Sequence, residues 1–175
     1  MEEKKHLGLK KIANNPSVID LQQGKIPPQA IDLEEAVLGA MLIDKKGVDE
    51  VIDILHKDVF YVEAHQHIFE DVFQLFQEAQ PIDLLTVSNK LKMNEQLDIA
   101  GGDYYLIELT RKVGSSAHIE FHARIILQKF VQRSLIKIST EIIEDSYVDN
   151  KDVFDLLDDA EAKLYEVTQG NLKKS

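Results

Sequence analysis

The chain has 175 residues, and 20 basic against 31 acidic side chains leave it at −11. That length suits one domain able to bury roughly 70% of its unfolded surface, and that charge argues against wrapping nucleic acid, which needs a surplus of Lys and Arg. The lack of cysteine removes disulfide frameworks, thiolate zinc sites and Cys nucleophiles together and fits a reducing, cytoplasmic setting, and no apolar run nears the roughly 20 residues of a membrane span.

Residues 1–31 read as a flexible leader. They carry 5 basic and 3 acidic groups and are punctuated by Asn14-Asn15-Pro16 and Ile26-Pro27-Pro28. Residues 32–114 read as a globular helical head, strongly acidic, with 17 acidic and 7 basic groups over residues 32–112. Asp32 is placed to cap a first helix whose apolar face is Leu33, Val37, Leu38, Met41 and Leu42. Gly39 in that helix fits either a close helix approach or a merely tolerated glycine. Asp44 to Gly47 reads as a turn, and Val48, Val51, Ile52 and Leu55 as a short second helix. Ala64 to Glu78 predicts a third, with Ile68, Val72, Leu75 and Phe76 inward and Phe69 and Phe73 beside them. Pro81 stops it, and Asp83 can cap a fourth helix holding Leu84, Val87, Leu91 and Met93. After the break at Gly101-Gly102, Asp103 to Lys112 fits helix or strand locally; its neighbours favour helix. The expected head core is Val37, Leu38, Leu42, Ile68, Val72, Leu106 and Leu109.

Residues 115–168 predict an antiparallel helical hairpin. Its first arm, capped by Ser115 or Ser116, runs to Tyr147 without Gly or Pro, about 45 Å at 1.5 Å per residue. One stripe is Leu127, Val131, Leu135, Ile138 and Ile142; a second, turned by roughly 140°, is Ile125, Ile136, Ile143 and Tyr147. After a turn at Asp149-Asn150-Lys151, Asp152 caps a second arm lined by Val153, Leu156, Leu157, Ala160, Leu164 and Val167, with Phe154 and Tyr165 on another side. Leu127, Val131, Leu135, Ile138, Ile142, Leu156, Leu157, Ala160 and Leu164 are expected to pack the hairpin or a dimer. Ile125, Ile136, Ile143, Tyr147, Phe154 and Tyr165 form an outward stripe. One hairpin cannot bury so many stripes, which predicts self-association. Residues 169–175 read as the start of a linker. The fold class is all-α.

Chemistry is sparse. No glycine-rich phosphate loop is present. His118 and His122 stand at i and i+4, but Ile119 occupies the position of the metalloprotease glutamate. His65 and His67 lie near Glu63, Glu70 and Asp71, yet point about 200° apart on a helix. Asp155, Asp158, Asp159 and Glu161 read as a solvated face, and Arg124, Lys129, Arg133 and Lys137 are offset by Glu120, Glu141, Glu144 and Asp145. No catalytic or metal-binding residue is assigned.

Pro28 to Asp44, PQAIDLEEAVLGAMLID, resembles the opening of the N-terminal domain of DnaB-type replicative DNA helicases. Glu34 or Glu35, Val37, Leu38, Gly39, Leu42 and Asp44 meet the family's pattern. Phe60-Tyr61, His65, Ile68-Phe69, Pro81-Ile82-Asp83, Thr86, Leu91, Gly101-Gly102, Tyr105-Leu106 and Leu109 continue in family order. Ala123-Arg124-Ile125, Arg133, Leu135-Ile136, then Leu157-Asp158, Ala160-Glu161 and Leu164 resemble the two hairpin arms. His122 stands where the family often has Tyr, and residues 1–27 are not covered. The resemblance implies a helical head with a protruding hairpin, and hairpins that pair into dimers, three of which form the collar of a hexameric ring. It also implies docking of the primase's C-terminal domain, DNA contact only through the full ring, and ATP and Mg only in a RecA-like motor beyond Ser175. No membrane partner is expected. Two other readings stand beside this one: a metal-dependent helical enzyme using His65, His67, His118 or His122, and a stand-alone helical adaptor.

Overall fold

A computed structural model describes residues 24–113 and 118–172, and every regular element among them is helical. In chain order these are α1 (Ile31–Ile43), α2 (Lys45–Val51), a 3-10 turn (Lys57–Val59), α3 (Glu63–Gln77), α4 (Leu84–Met93), α5 (Gly102–Arg111), α6 (Ile119–Ser146) and α7 (Val153–Leu172). Among the described residues, no helix is long and apolar enough to cross a membrane.

Helix α1 is the axle of the head. It packs against α2, α3, α4, α5 and α6, so it is buried on almost every side and has no solvent stripe. Val37, Leu38 and Leu42 are buried with Ile68 and Val72 of α3 and Leu106 and Leu109 of α5. Gly39 faces α5 so closely that a Cβ there would overlap the Leu109 carbonyl oxygen and stand 2.6 Å from Val113 Cγ2. Close approach of α5, not tolerance, is therefore the reason for the glycine.

Several helix ends depart from the expectations. Asp32 lies inside the first turn of α1, not at its cap. The Ala30 carbonyl accepts from the Leu33 and Glu34 amides instead. Asp44 is not the start of a turn but the cap of α2, its side chain accepting from the Lys46 amide at 3.0 Å. Asp83 does cap α4, in a reciprocal box with Thr86, both bonds 2.9 Å. Helices α3 and α4 end on Ala79 and Glu95 in the left-handed region, φ 53° and 58°. The Gln80 and Gln96 amides then close back on the Leu75 and Leu91 carbonyls at 2.9 and 2.8 Å. Phe76, expected to face inward, is exposed, and Met93 lies on α4 as expected but is 80% exposed: α3 and α4 stop within a residue of each and nothing covers their last turns.

The packing runs across the expected division between residues 114 and 115. Ile119, Ala123 and Ile126 of α6 are buried with the head core, and Leu127 and Phe130 pack against it. The expected caps Ser115 and Ser116 lie outside the described residues.

Gly39→Ala should destabilise the chain by at least about 1–3 kcal/mol, the usual cost of overpacking a filled core. Urea unfolding followed by circular dichroism measures it. An unchanged midpoint would show that α5 does not depend on the close approach.

A candidate interaction surface on the helical hairpin

The hairpin begins inside the head. Buried Ile119, Ala123 and Ile126 recur at i, i+4 and i+7, and helical rigidity carries the remainder of the 28-residue α6 outward. Its direction is set at Arg133. The guanidinium donates from Nη1 to the Pro28 carbonyl and from Nη2 to the Val59 carbonyl, each at 2.7 Å. It also sits over the rings of Tyr61 and Phe130, 5.4 and 5.8 Å from their centroids. Burial lowers the Arg133 pKa, opposed by the nearby charge of Glu34.

Glu34 anchors the same corner from below. Its Oε1 accepts from the Tyr61 amide at 2.7 Å, and its Oε2 lies 2.6 Å from His65 Nδ1. Both side chains are buried. The Tyr105 hydroxyl stands 2.7 Å from His65 Nε2 and donates to Glu35 Oε1 at 3.3 Å. Lys112 Nζ donates to Glu35 Oε2 at 2.7 Å. Burial, and then the Glu35 charge, push the Tyr105 phenol up to about 12. A polar chain thus ties α1 to α3 and α5, and every member is paired, as buried ionisable groups require. It holds the base on which α6 stands.

The arms of the hairpin meet along Leu156, Ala160, Lys163 and Val167 of α7, the half-buried positions of that helix with Gln169. Lys163 Nζ lies 3.3 Å from both Glu141 and Asp145 of α6. Lys151 Nζ bridges Asp145 and Asp159 at 3.4 and 2.9 Å. These pairs place residue 163 opposite 141–145, which makes the arms antiparallel. The hydrogen bond from Lys163 is the main reason that the Asp145 carboxyl lies below the usual carboxylate range.

The structure divides the expected stripes differently. Leu127 belongs to the head, where it packs against the core. Val131, Ile138 and Ile142 are half-buried on α6, as are Ile125 and Ile143. Leu157 and Leu164 turn away from the seam, 60% and 46% exposed. They join Val153, Phe154 and Tyr165 in an open apolar face along α7. Phe121, Leu135, Ile136, Tyr147 and Val148 are the exposed large apolar residues of α6 and the turn after it. No described residue beyond Ile126 is buried. The hairpin therefore keeps a continuous supply of uncovered apolar side chains, the signature of an interaction surface.

The histidines are differently employed. His65 is enclosed by Glu34 and Tyr105. His67 Nε2 faces Glu63 at 3.8 Å, a turn away. No group of three or more His, Asp or Glu among the described residues is arranged to hold a metal ion. The sequence pattern missed Arg133 and Lys163 as structural anchors: Pro28 and Val59 stand 105 and 74 positions from Arg133, and the Lys163 seam needs the hairpin register. The buried Ile119-Ala123-Ile126 face was missed as well, although its i, i+4, i+7 spacing is a helical signal.

Residues 26–128 match the family described as the DnaB-like helicase N terminal domain. The chain belongs to that family. Replicative DNA helicase DnaB of Rhodothermus marinus is 41% identical over 154 residues, 88% of this chain and 16% of that protein. Replicative DNA helicase DnaB of Geobacillus stearothermophilus is 40% identical over 150 residues, 86% of this chain and 33% of that protein. The chain thus spans a third or less of these curated relatives. The crystal structure of the N-terminal domain of DnaB helicase from Mycobacterium tuberculosis superposes with a TM-score of 0.76 at 31% identity, over 81% of this chain and 99% of that one. A structure described as a DnaB-like replicative helicase and its interactions with primase superposes with a TM-score of 0.66 at 26% identity, over 81% of this chain and 31% of that one. The helical head with its hairpin is thus the DnaB N-terminal domain fold.

Because its folded-state carboxyl is held low, Asp145 stabilises the seam above the ordinary carboxylate range, and that stabilisation is lost as pH falls through its folded pKa. Asp145→Asn should therefore lower the hydrogen-exchange protection factors of α7 amides at neutral pH, towards those the native hairpin shows only in acid. Equal exchange in native and variant at neutral pH would remove the ion pairs from α7's stability.

Proposed function

We propose that this domain is the collar of a replicative DNA helicase, pairing copies through the hairpin and recruiting primase. The observation that carries the reading is the open apolar face of α7, Val153, Phe154, Leu157, Leu164 and Tyr165, on a helix that none of its own head buries. Burying a leucine stabilises by about 1.5–3 kcal/mol, so a face of this size is worth a dimer if a second copy covers it. In this reading the hairpins pair into dimers, and three dimers make the ring's N-terminal tier. The tier is in turn a docking surface for the C-terminal domain of primase, in keeping with the structural neighbour described with primase.

The chemistry of unwinding falls to other parts of such a helicase. The sequence holds no glycine-rich phosphate loop with its following Lys and Ser or Thr, so no residue here is assigned to ATP, to Mg or to hydrolysis. DNA is reached through the assembled ring, consistent with a surface carrying −11. The setting is the cytoplasm.

Light scattering over a concentration series tests the pairing. The native chain should give the mass of a dimer or a higher even assembly. Leu157→Asp should weaken association at least about tenfold, since a buried charge forfeits more than the 1.4 kcal/mol that a decade requires. A monomeric native chain at high concentration, or an unchanged mass for a folded Leu157→Asp variant, overturns the pairing. Titration with the primase C-terminal domain tests recruitment, and no binding to the associated native chain overturns it.

A further inference from the structure

A second apolar surface lies on the head, away from the hairpin. Helices α4 and α5 and the end of α1 enclose an open groove of about 480 Å³, lined by Leu42, Leu84, Leu85 and Ile107 together with Asp83, Ser88, Lys92 and Asp103. Leu85 is 70% exposed, and Tyr104, next to Asp103 on α5, is 73% exposed. The Ser88 hydroxyl donates to Asp103, and Lys92 Nζ lies 3.2 Å from Asp103 Oδ2. These contacts brace α4 against α5 and hold the floor open. Among the charged groups on the lining, Asp83 and Asp103 outnumber Lys92. The groove is therefore apolar with a net negative lining.

Such a surface fits a short segment that is both apolar and cationic. The α7 face of a second copy does not qualify, because it is flanked by Asp155, Asp158, Asp159, Glu161 and Glu166, and like charges at a contact repel. One segment of the chain itself does. Lys4 to Ile12, KKHLGLKKI, carries four lysines and no acid, with Leu7, Leu9 and Ile12 between them. We propose that Lys4–Ile12 docks in cis in the α4–α5 groove, its leucines on Leu85 and Ile107 and its lysines towards Asp83 and Asp103. This goes beyond the collar reading and does not depend on it.

The reach is sufficient. The chain enters the head at the N-terminal end of α1, and the groove includes Leu42 at the C-terminal end, about 18 Å along the helix at 1.5 Å per residue. From Ile12 to Gly24 the backbone can span about 40 Å at 3.3 Å per residue. The attraction has two parts with different signatures: apolar burial, which is insensitive to salt, and charge pairing, which weakens as salt screens it.

The lack of native cysteine allows a clean test on the full chain. A nitroxide on Ala13→Cys should reduce the amide signal intensities of Leu85, Ser88, Asp103 and Ile107 most strongly. The loss should shrink with added salt, and in Lys4→Glu/Lys5→Glu/Lys10→Glu/Lys11→Glu. Leu85→Ser/Ile107→Ser should abolish the loss while the remaining amide spectrum stays native. Loss centred on α7, no localised loss, or loss that persists in the folded Leu85→Ser/Ile107→Ser variant overturns the proposal. A mixture of nitroxide-bearing unlabelled chain with isotope-labelled chain should leave the groove signals intact. Loss there would mean that the segment docks on a second copy, which overturns docking in cis.

Discussion

The constraint on which the rest depends is the sharing of one rigid helix between two environments. A 28-residue α-helix cannot bend back on itself, so the burial of Ile119, Ala123 and Ile126 in the head fixes where the other twenty residues go. They leave the core and take α7 with them. Apolar side chains that the seam between the arms does not cover, Leu157 and Leu164 among them, are thereby committed to solvent in a single copy. On the collar reading proposed above, association follows from how α6 is divided and needs no special feature of the hairpin tip.

A shared helix is useful only if its angle is defined, and the angle is set by polar groups. Apolar packing at Ile119–Ile126 fixes a position along α6 but leaves freedom of tilt about it. Arg133, two turns further out, removes that freedom by donating to two carbonyls on different loops. A guanidinium suits this task because its donors are held in a planar fork. The carbonyls it reaches are themselves held: Val59 precedes the turn whose amides Glu34 receives, and Glu34 is paired with His65. Removing one member of such a buried set leaves its partners desolvated and unpaired, a typical cost of about 3–5 kcal/mol. The direction of the hairpin is thus coupled through α1 to the integrity of the head.

How much of this was legible in the sequence follows from the range of each interaction. Apolar periodicity is local, so the helices and the central face of α1 were readable from spacing alone. Asp83 was readable as a cap, while its reciprocal partner Thr86, three positions on, came only with the structure. The end of α3 was readable to within a residue, but the left-handed Ala79 and Glu95 that close α3 and α4 were not, because sequence reading reserves that conformation for glycine. Phe76 was misplaced because its helical period holds to the last turn of α3 while no neighbour covers that turn. The stripe on α6 was read as one surface although Leu127 packs on the head and Leu135 faces solvent. Periodicity says which residues share a face but not which neighbour lies opposite at each height. Apolar stripes and the Asp149–Lys151 turn made the hairpin readable, the family pattern agreed with it, and the two long-range anchors, Arg133 and Lys163, came only with the structure.

The charge of the chain gives the two apolar surfaces opposite characters. At −11, two copies repel at long range, and the α7 face is bordered by carboxylates of the same sign on each copy. Added salt shortens the Debye length to about 8 Å at physiological strength and about 3 Å at 1 M, so it relieves that repulsion and favours pairing through the apolar strip. The groove on the head, with the cationic segment proposed for it, has the reverse dependence, since salt screens an attraction there. Ionic strength therefore separates the surfaces on physical grounds: the one that strengthens in salt is held by burial against repulsion, and the one that weakens is held in part by opposite charge. On the proposed pairing, a negative domain gains specificity from this arrangement, because approach is unfavourable except in the registers where enough apolar surface is covered to overcome it.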